Sequence, residues 1–249
     1  MQDNGYQKKY YHKKDVKKSK NLIKQAECKS MIVWASFLPS MVGSGRFSKQ
    51  VSDMIKFPPY QYSVITGLIL SDAWVGLVNP HSRSARLTFR QSYDKHQYVW
   101  FVFFILSHYC NIIPRISYTK RNGVILYYSE LVTKALPCFT ELYNKFYVNK
   151  VKVIPEDIYN LLTPVALAHL IMGDGSMRPY GLVICTDSYS LPEVVKLMNV
   201  LLIKYGLDSV LRLHTSTQPR IYIKSGSMAK LRAIVSPHMC ETMMYKLGK

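Results

Sequence analysis

Two apolar segments of this chain end in an aspartate, and this pattern constrains the fold more than any other feature of the sequence. In "TPVALAHLIMGDG", Thr163 and Pro164 are typical of a helix start, as N-cap and first helical residue. The run that follows is almost entirely apolar, and Asp174 falls in or just past its last turn. A carboxylate at the negative end of a helix dipole costs roughly 0.3–1 kcal/mol. Helix stability therefore does not explain the position of Asp174.

A similar segment occurs about 100 residues earlier in the chain. In "SVITGLILSDA", an apolar run again ends in a small residue and an acid, Ser71 and Asp72. Similar strand and helix signals follow each segment, which indicates an internal duplication. We therefore predict an α+β fold made of two pseudo-symmetric αββαββα halves with antiparallel sheets, packed through their acidic helices.

Periodicity and turn residues predict the elements of each half. In the first half we expect a strand in "SRSARLTFRQS", a helix at about 94–109, a hairpin turning at Asn122-Gly123 and a helix at about 134–146. In the second half we expect a strand in "GLVICTD", a capped helix in "SLPEVVKLMNVLLIKYG", strands in "SVLRLHT" and "RIYIKS", and a last helix at about 227–234.

The predicted organisation has three parts. Residues 1–57 form a basic N-terminal arm or linker, since they show no clean period. Residues 58–155 form the first half and residues 156–249 the second. The lysine-rich "KKYYHKKDVKKSK" in the arm is interpreted as a solvated tail, with a mitochondrial presequence as the alternative, and we see no secretion signal.

The charge of the chain indicates a polyanionic partner. The 33 Lys and Arg face only 15 Asp and Glu, for a formal net charge of +18. The longest apolar run, "YVWFVFFIL", is about half of a bilayer span, so we predict a buried helix and no membrane partner. The five scattered cysteines argue against a structural zinc site and fit a reducing compartment.

Alternation along the strands predicts one apolar and one polar face for each sheet. The residues expected to face the helices are Ala85, Leu87, Phe89, Ile116, Tyr118, Leu211, Leu213, Ile221 and Ile223. Arg and Lys on the other face address guanine edges and phosphates, as DNA reading requires, whereas an ordinary solvated face is the alternative. The predicted DNA contacts are Arg83, Arg86, Thr88, Arg90, Arg115, Ser117, Thr119, Arg212, His214, Arg220, Tyr222 and Lys224.

The two aspartates are the predicted metal ligands. Small residues allow the two helices to approach closely: Gly67, Ser71, Ala168 and Gly173. Asp72 and Asp174 then lie side by side, which is tolerated if a hard divalent cation lies between them. Mg²⁺ accepts one or two carboxylates and completes its shell with water and phosphate oxygen, and it can activate a scissile phosphate. For either aspartate alone, a plain polar helix end is the alternative, but the repeat and the basic sheets favour a metal site.

These paired segments resemble the motif helices of LAGLIDADG homing endonucleases, in the single-chain form found in yeast mitochondrial introns. "LTP" before the second motif and "MMYKL" at 243–247 match that form, and the resemblance covers residues 60–249. It implies metal-dependent double-strand cleavage of a long asymmetric DNA target, a DNA-binding saddle formed by the sheets, a working monomer and an organelle-encoded mitochondrial protein. The chain departs from the motif at His169 and Ala73, where glycine is usual.

The resemblance also implies the metal ligands. The last acid of each motif holds divalent metal, which assigns Asp72 and Asp174. The backbone of Ser71, Ala73 and Gly173 would add ligands. Mg²⁺ is the expected ion, with Mn²⁺ or Ca²⁺ able to replace it in binding.

A basic residue near each scissile phosphate is also implied by the resemblance. Lys246 of "MMYKL" matches it in the second half. In the first half, "NKVKVIP" offers Lys152, with Lys150 as the fallback.

Two other functions remain open from the sequence. One is a maturase that binds its host intron RNA, although the sequence shows no stacked-aromatic RNA signature. The other is a DNA-binding module without cleavage, whose affinity would fall steeply with salt and survive replacement of both acids.

Overall fold

The computed structural model describes residues 47–79 and 81–248, which belong to one compact unit. Most of the predicted arm, including its lysine-rich segment, lies outside the described residues. Its last part contains a short helix, α1 (Lys49–Met54). The ring of Phe57 packs on Tyr109 and Phe139, with centroids 5.1 and 4.9 Å apart. Regular structure therefore begins before residue 58, within the predicted arm or linker, and the aromatic contacts of Phe57 hold this segment against the first half.

The first half has the predicted αββαββα order of helices and strands. Strand β1 is only four residues long, too short for alternation to predict it. The hairpin turns at Asn122-Gly123, where φ is 49° and 81°, as a type I′ turn requires. The elements are α2 (Pro59–Leu70), β1 (Trp74–Leu77), β2 (Ala85–Ser92), α3 (His96–Leu106), β3 (Arg115–Arg121), β4 (Val124–Val132) and α4 (Pro137–Phe146).

The second half repeats this order after a short connection. The connection contains a two-stranded hairpin and a single helical turn: β5 (Tyr147–Val148), β6 (Val151–Lys152) and α5 (Ile158–Leu161). The repeated elements are α6 (Pro164–Asp174), β7 (Gly175–Arg178), β8 (Gly181–Ile184), α7 (Leu191–Tyr205), β9 (Ser209–Thr215), β10 (Gln218–Lys224) and α8 (Met228–Val235). A 3₁₀ segment, Glu241–Leu247, follows.

The two sheets share one topology. Each has four antiparallel strands, in the orders β1-β2-β4-β3 and β7-β8-β10-β9. Corresponding strands therefore hold corresponding places in the two halves, which confirms the predicted α+β fold. Among the described residues, no helix has the length and hydropathy that crossing a bilayer requires.

Helices α2 and α6 pack against each other and form the centre of the core. Nearly all of their residues between the first turn and the acidic end are buried. A Cβ added at Gly67 would lie 2.3 Å from the Ala166 carbonyl oxygen and 2.6 Å from the His169 Cβ. Glycine in the first motif therefore makes room for the histidine that replaces glycine in the second.

The predicted apolar faces are confirmed only in part. Leu87, Phe89, Ile221 and Ile223 are fully buried, and so is Ala85. The burial expected for four residues of β3 and β9 was wrong, since Ile116, Tyr118, Leu211 and Leu213 are exposed. Alternation correctly gave the side of the sheet on which these residues lie. It does not predict how far the helices cover the outermost strand.

Candidate active site and nucleic-acid interface

The acidic ends of α2 and α6 meet at the helix interface. Asp174 is the last residue of α6, and Asp72 is the second residue after the end of α2. A Cβ added at Gly173 would lie 2.4 Å from Ser71 Oγ and 3.0 Å from Asp72 Oδ2. The structure thus brings together the two segments whose acids the sequence singled out, and Gly173 leaves room for Asp72.

The surroundings of the two carboxylates differ. Burial, and then the negative charge of Asp72, raise the pKa of Asp174 to about 7. The Asp72 carboxylate instead accepts a hydrogen bond from Gln91, with Nε2 to Oδ2 at 2.5 Å. A negative charge on Asp174 is therefore disfavoured unless a cation compensates for it.

A lysine from another element reaches each motif. Lys152 on β6 donates from Nζ to the carbonyl oxygens of Ser71 at 3.0 Å and Ala73 at 2.9 Å. Lys246 in the 3₁₀ segment donates to the Gly173 carbonyl oxygen at 2.8 Å. Because Ser71 aligns with Gly173, both lysines bind the carbonyl that precedes the acid of a motif.

Burial lowers the pKa of both lysines. The pKa of Lys152 falls to about 8, although the charges of Asp174 and Asp72 oppose the effect of burial. The pKa of Lys246 is lowered by burial and then by the charge of Lys95. The structure places Lys150, the fallback from the sequence, at the exposed turn of the β5–β6 hairpin.

The donor atoms at this site fit a hard divalent cation. Two carboxylates and the backbone carbonyls next to them supply oxygen only, as Mg²⁺ prefers. Within residues 47–79 and 81–248 there is no group of three or more acidic, histidine or cysteine side chains that could hold a metal. An ion there would therefore need water or phosphate oxygen to complete its shell. The carbonyls predicted as ligands, those of Ser71, Ala73 and Gly173, already accept from the lysines.

The polar face of the first sheet carries an arginine–glutamate row. The register places Glu130 of β4 between Arg90 of β2 and Arg115 of β3. Glu130 binds Arg90 Nε at 2.6 Å and lies 3.6 Å from Arg115 Nη2. The Arg90 guanidinium also lies over the rings of Trp74 and Tyr128, 5.1 and 4.8 Å from their centroids. These contacts fix the position of Arg90.

The remaining predicted contacts of the first half surround this row. Arg86 and Thr88 line a cavity of about 220 Å³ next to it. Thr88 is buried, Arg83 is exposed in the loop before β2, and β3 carries Ser117 and Thr119 on the same face as Arg115.

The polar face of the second sheet is also organised by charge. Arg220 donates to both carboxylate oxygens of Asp187, at 2.7 and 2.6 Å. The Arg212 guanidinium lies 3.7 Å from the centroid of Tyr222, which is buried beneath it. Exposed His214 and Lys224 are also on this side, and Lys224 pairs with Asp208 at 2.7 Å.

The resemblance in sequence implied paired acidic helices, one lysine at each motif and one sheet in each half. The structure contains these features. Residues 62–231 match the LAGLIDADG DNA endonuclease family. The chain belongs to this family.

The relatives of this chain include proteins named as maturases and as endonucleases. Over 224 residues the chain is 30% identical to the cytochrome b mRNA maturase bI2 of Debaryomyces hansenii, covering 86% of this chain and 84% of the relative. It is 32% identical over 198 residues to the protein of that name from Saccharomyces cerevisiae, covering 75% of this chain but 47% of the relative. It therefore spans about half the length of the S. cerevisiae protein. The intron-encoded endonuclease ai4 of Dictyostelium discoideum is 36% identical over 153 residues, 59% of this chain and 96% of the relative.

A solved homing endonuclease structure shares the fold. The homing endonuclease I-WcaI, bound to its DNA recognition sequence, superposes with a TM-score of 0.75 at 24% sequence identity. The match covers 84% of this chain and 97% of that one. The fold of this chain, including both halves, is therefore that of a known homing endonuclease structure.

The sequence analysis missed two residues of the site, Gln91 and Glu130. Gln91 lies on the helix side of β2, so alternation alone would not select it as a partner of Asp72. For Glu130, the sequence does contain a signal. The two-residue turn at Asn122-Gly123 fixes the hairpin register and so pairs Glu130 with Arg115.

Proposed function

We propose that this LAGLIDADG protein is a site-specific homing endonuclease that makes a metal-dependent double-strand break in a long, asymmetric DNA target. The observation that carries the proposal is the pairing of Asp72 and Asp174 at the α2–α6 interface, with a lysine bound to each motif. One acid and one lysine from each half would serve the two strands of a duplex.

The chemistry follows from the residues of this site. Asp72 and Asp174 would hold Mg²⁺, with Mn²⁺ or Ca²⁺ as substitutes in binding, and the bound ion would polarise the phosphate and lower the pKa of an attacking water. Gln91 orients the Asp72 carboxylate through its hydrogen bond. Lys152 and Lys246 supply positive charge where negative charge accumulates on the phosphate.

The two polar sheet faces would bind the DNA. The first presents Arg90 and Arg115 on either side of Glu130, whereas the second presents Arg212 and Arg220 with Tyr222 and Asp187. Because the two sets of side chains differ, the two halves of the target would differ in sequence. The net charge of +18 favours association with DNA and makes it salt-dependent.

The assembly and origin of the protein are part of the proposal. Each acidic helix already has its partner in the same chain, which supports a working monomer. Relatives named for cytochrome b mRNA and for introns support an organellar, intron-encoded origin in mitochondria.

A second function, binding of host intron RNA, is favoured by one observation. Two relatives that are 30% and 32% identical to the chain are named mRNA maturases. This function does not require the acids, so it is separable from cleavage.

The test of the first function is a cleavage selection. A plasmid library carrying randomised or intron-insertion sites is incubated with the protein in Mg²⁺, and in parallel with EDTA. We expect cuts at one family of sequences with Mg²⁺ and none with EDTA. Salt-sensitive DNA binding without a cut in Mg²⁺ or Mn²⁺ would overturn the endonuclease proposal in favour of a binding module.

A further inference from the structure

The β3–β4 hairpin carries apolar residues on the side that faces away from its arginines. Along β4, Tyr127 alternates in step with buried Leu131, so it lies on the helix side of the sheet. The register places Tyr118 directly opposite Tyr127, and Ile125 opposite Lys120. Arg115 and Arg121 lie on the other side, because they are offset from Tyr118 by an odd number of residues.

These side chains are uncovered. The exposed fraction is 65% for Tyr118, 54% for Tyr127, 50% for Ile116 and 46% for Ile125. The two tyrosine rings lie beside each other, with centroids 6.2 Å apart and planes at 59°. Two large aromatic rings exposed side by side on a sheet are uncommon, since burial of such rings stabilises a fold.

The charge around Tyr118 and Tyr127 favours a polyanion as the ligand. Residues 111–129 contain three basic residues and no acid. Lys120 lies on the same side as the tyrosines, one position from Arg121 at the turn. Exposed aromatic rings with neighbouring cations are the combination on which unpaired bases stack while their phosphates are neutralised.

The duplication provides an internal comparison. The corresponding side of β9 carries Leu211 and Leu213, and their partners on β10 are Ile221 and Pro219. The fold of a half therefore does not require aromatic residues at these places. The tyrosine pair is particular to the first half.

We propose that Tyr118 and Tyr127, with Lys120, form a stacking surface for unpaired bases of RNA. The inference rests on the second proposed function, RNA binding, and not on DNA cleavage. The surface lies on the opposite side of the sheet from Arg90 and Arg115, so RNA stacked there leaves the proposed DNA face free. It supplies the aromatic RNA-binding feature that the sequence pattern did not reveal.

The test uses the full chain and a fluorescein-labelled single-stranded RNA of about 12 nucleotides and mixed sequence, which is within the range that stacking sites bind. Affinity is measured by fluorescence anisotropy for the unaltered protein and three variants. The Tyr118→Ala, Tyr127→Ala double variant removes the rings, and the Tyr118→Phe, Tyr127→Phe variant keeps them. Leu213→Ala is the matched change on the second hairpin. All three side chains that are changed are exposed, and thermal melting checks that each variant is folded.

We expect the alanine variant to bind the single strand roughly 10- to 100-fold more weakly. The phenylalanine and Leu213→Ala variants should stay close to the unaltered protein. Binding of a duplex of the same sequence should not respond to the tyrosines, because paired bases do not offer their faces.

Three results would contradict the proposal. If the unaltered protein binds no single-stranded RNA, the proposed RNA function and the proposed stacking surface are both contradicted. The proposed DNA cleavage is not affected by that result. If the alanine variant keeps full affinity, the surface fails alone. If the alanine variant changes oligomeric state in size-exclusion chromatography without losing RNA affinity, the patch is a protein-docking surface.

Discussion

Lys246 donates from Nζ to the carbonyl oxygen of Gly173 at 2.8 Å, one residue before the acid of the second motif. In the first half, Lys152 binds the aligned carbonyl of Ser71 at 3.0 Å. The two lysines come from unlike elements, a 3₁₀ segment and a two-residue strand. Different local structures therefore place a positive charge at the same position in each half. This indicates that the site, and not the fold, requires the charge.

Lys246→Ala and Lys152→Ala should reduce cleavage much more than DNA binding. Each removes positive charge beside the acids, and loss of one preorganised electrostatic contact costs about 100-fold in rate. Single-turnover cleavage and DNA affinity are measured on the same target site. Lys150→Ala, at the exposed turn of the β5–β6 hairpin, is the matched control and should leave the rate unchanged. Equal losses of rate and affinity would show that Lys152 or Lys246 only contacts a DNA phosphate and does not act in cleavage.

Gly67→Ala should destabilise the fold and slow cleavage together. The new Cβ would lie 2.3 Å from the Ala166 carbonyl oxygen, so α2 and α6 must separate. Overpacking of this kind costs about 1–3 kcal/mol in the free energy of unfolding, which urea denaturation measures. Gly226→Ala is the control, because a Cβ there meets nothing within 4 Å. Equal stability of the two variants would show that the helix interface tolerates the extra methyl group.

His169 should make the protein sensitive to acid. It is buried between α6 and α3, with Nδ1 2.9 Å from the Tyr98 hydroxyl, and burial lowers its pKa from 6.5 to about 3. The unfolded chain therefore takes up a proton below pH 6.5 that the folded chain refuses. The stability due to neutral His169 is complete above pH 6.5 and is lost as the pH falls toward 3.

His169→Phe removes this titration and keeps the ring stacked on Tyr98. Between pH 7 and pH 4, the unaltered protein should lose about 3 kcal/mol more unfolding free energy than the variant. Urea denaturation at a series of pH values measures the difference. Parallel stability curves for the two proteins would contradict the assignment to His169.

Glu130→Gln should weaken discrimination between DNA sequences. Glu130 is nearly buried between Arg90 and Arg115, and removing its charge frees both guanidinium groups to bind phosphates without regard to sequence. We expect tighter binding to random DNA and a slope of log affinity against log salt that is steeper by about one. Glu141→Gln removes an exposed partner of Lys56 and is the control. If the two variants have the same salt slope, Glu130 does not organise the arginines.

The duplicated fold could be predicted because its evidence is local and occurs twice. Apolar runs ending at Asp72 and Asp174 identify the two central helices, and alternation identifies most of the strands. The predicted αββαββα order includes β1 and β7, but their residues were not located, since neither four-residue strand shows a period.

Side-chain pairing in the site depends on contacts between distant elements. The hydrogen bond from Gln91 to Asp72 joins a strand residue to an acid at the end of a helix, and alternation within the strand does not predict this contact. The exposure of Tyr118 depends on where the helices stop covering the sheet, which no pattern within β3 records. Hairpin register is the exception, because the Asn122-Gly123 turn alone pairs Arg115 with Glu130.

The central claim is that one active site uses an acid from each half. Its most direct test is cleavage of a supercoiled plasmid carrying the selected target by Asp72→Asn and Asp174→Asn, with DNA affinity measured in parallel. Each single variant should form linear product roughly 100-fold or more slowly than the unaltered protein, since the bound metal contributes several kcal/mol, while affinity for the target persists. Linear product formed at the full rate by either single variant would contradict the shared site.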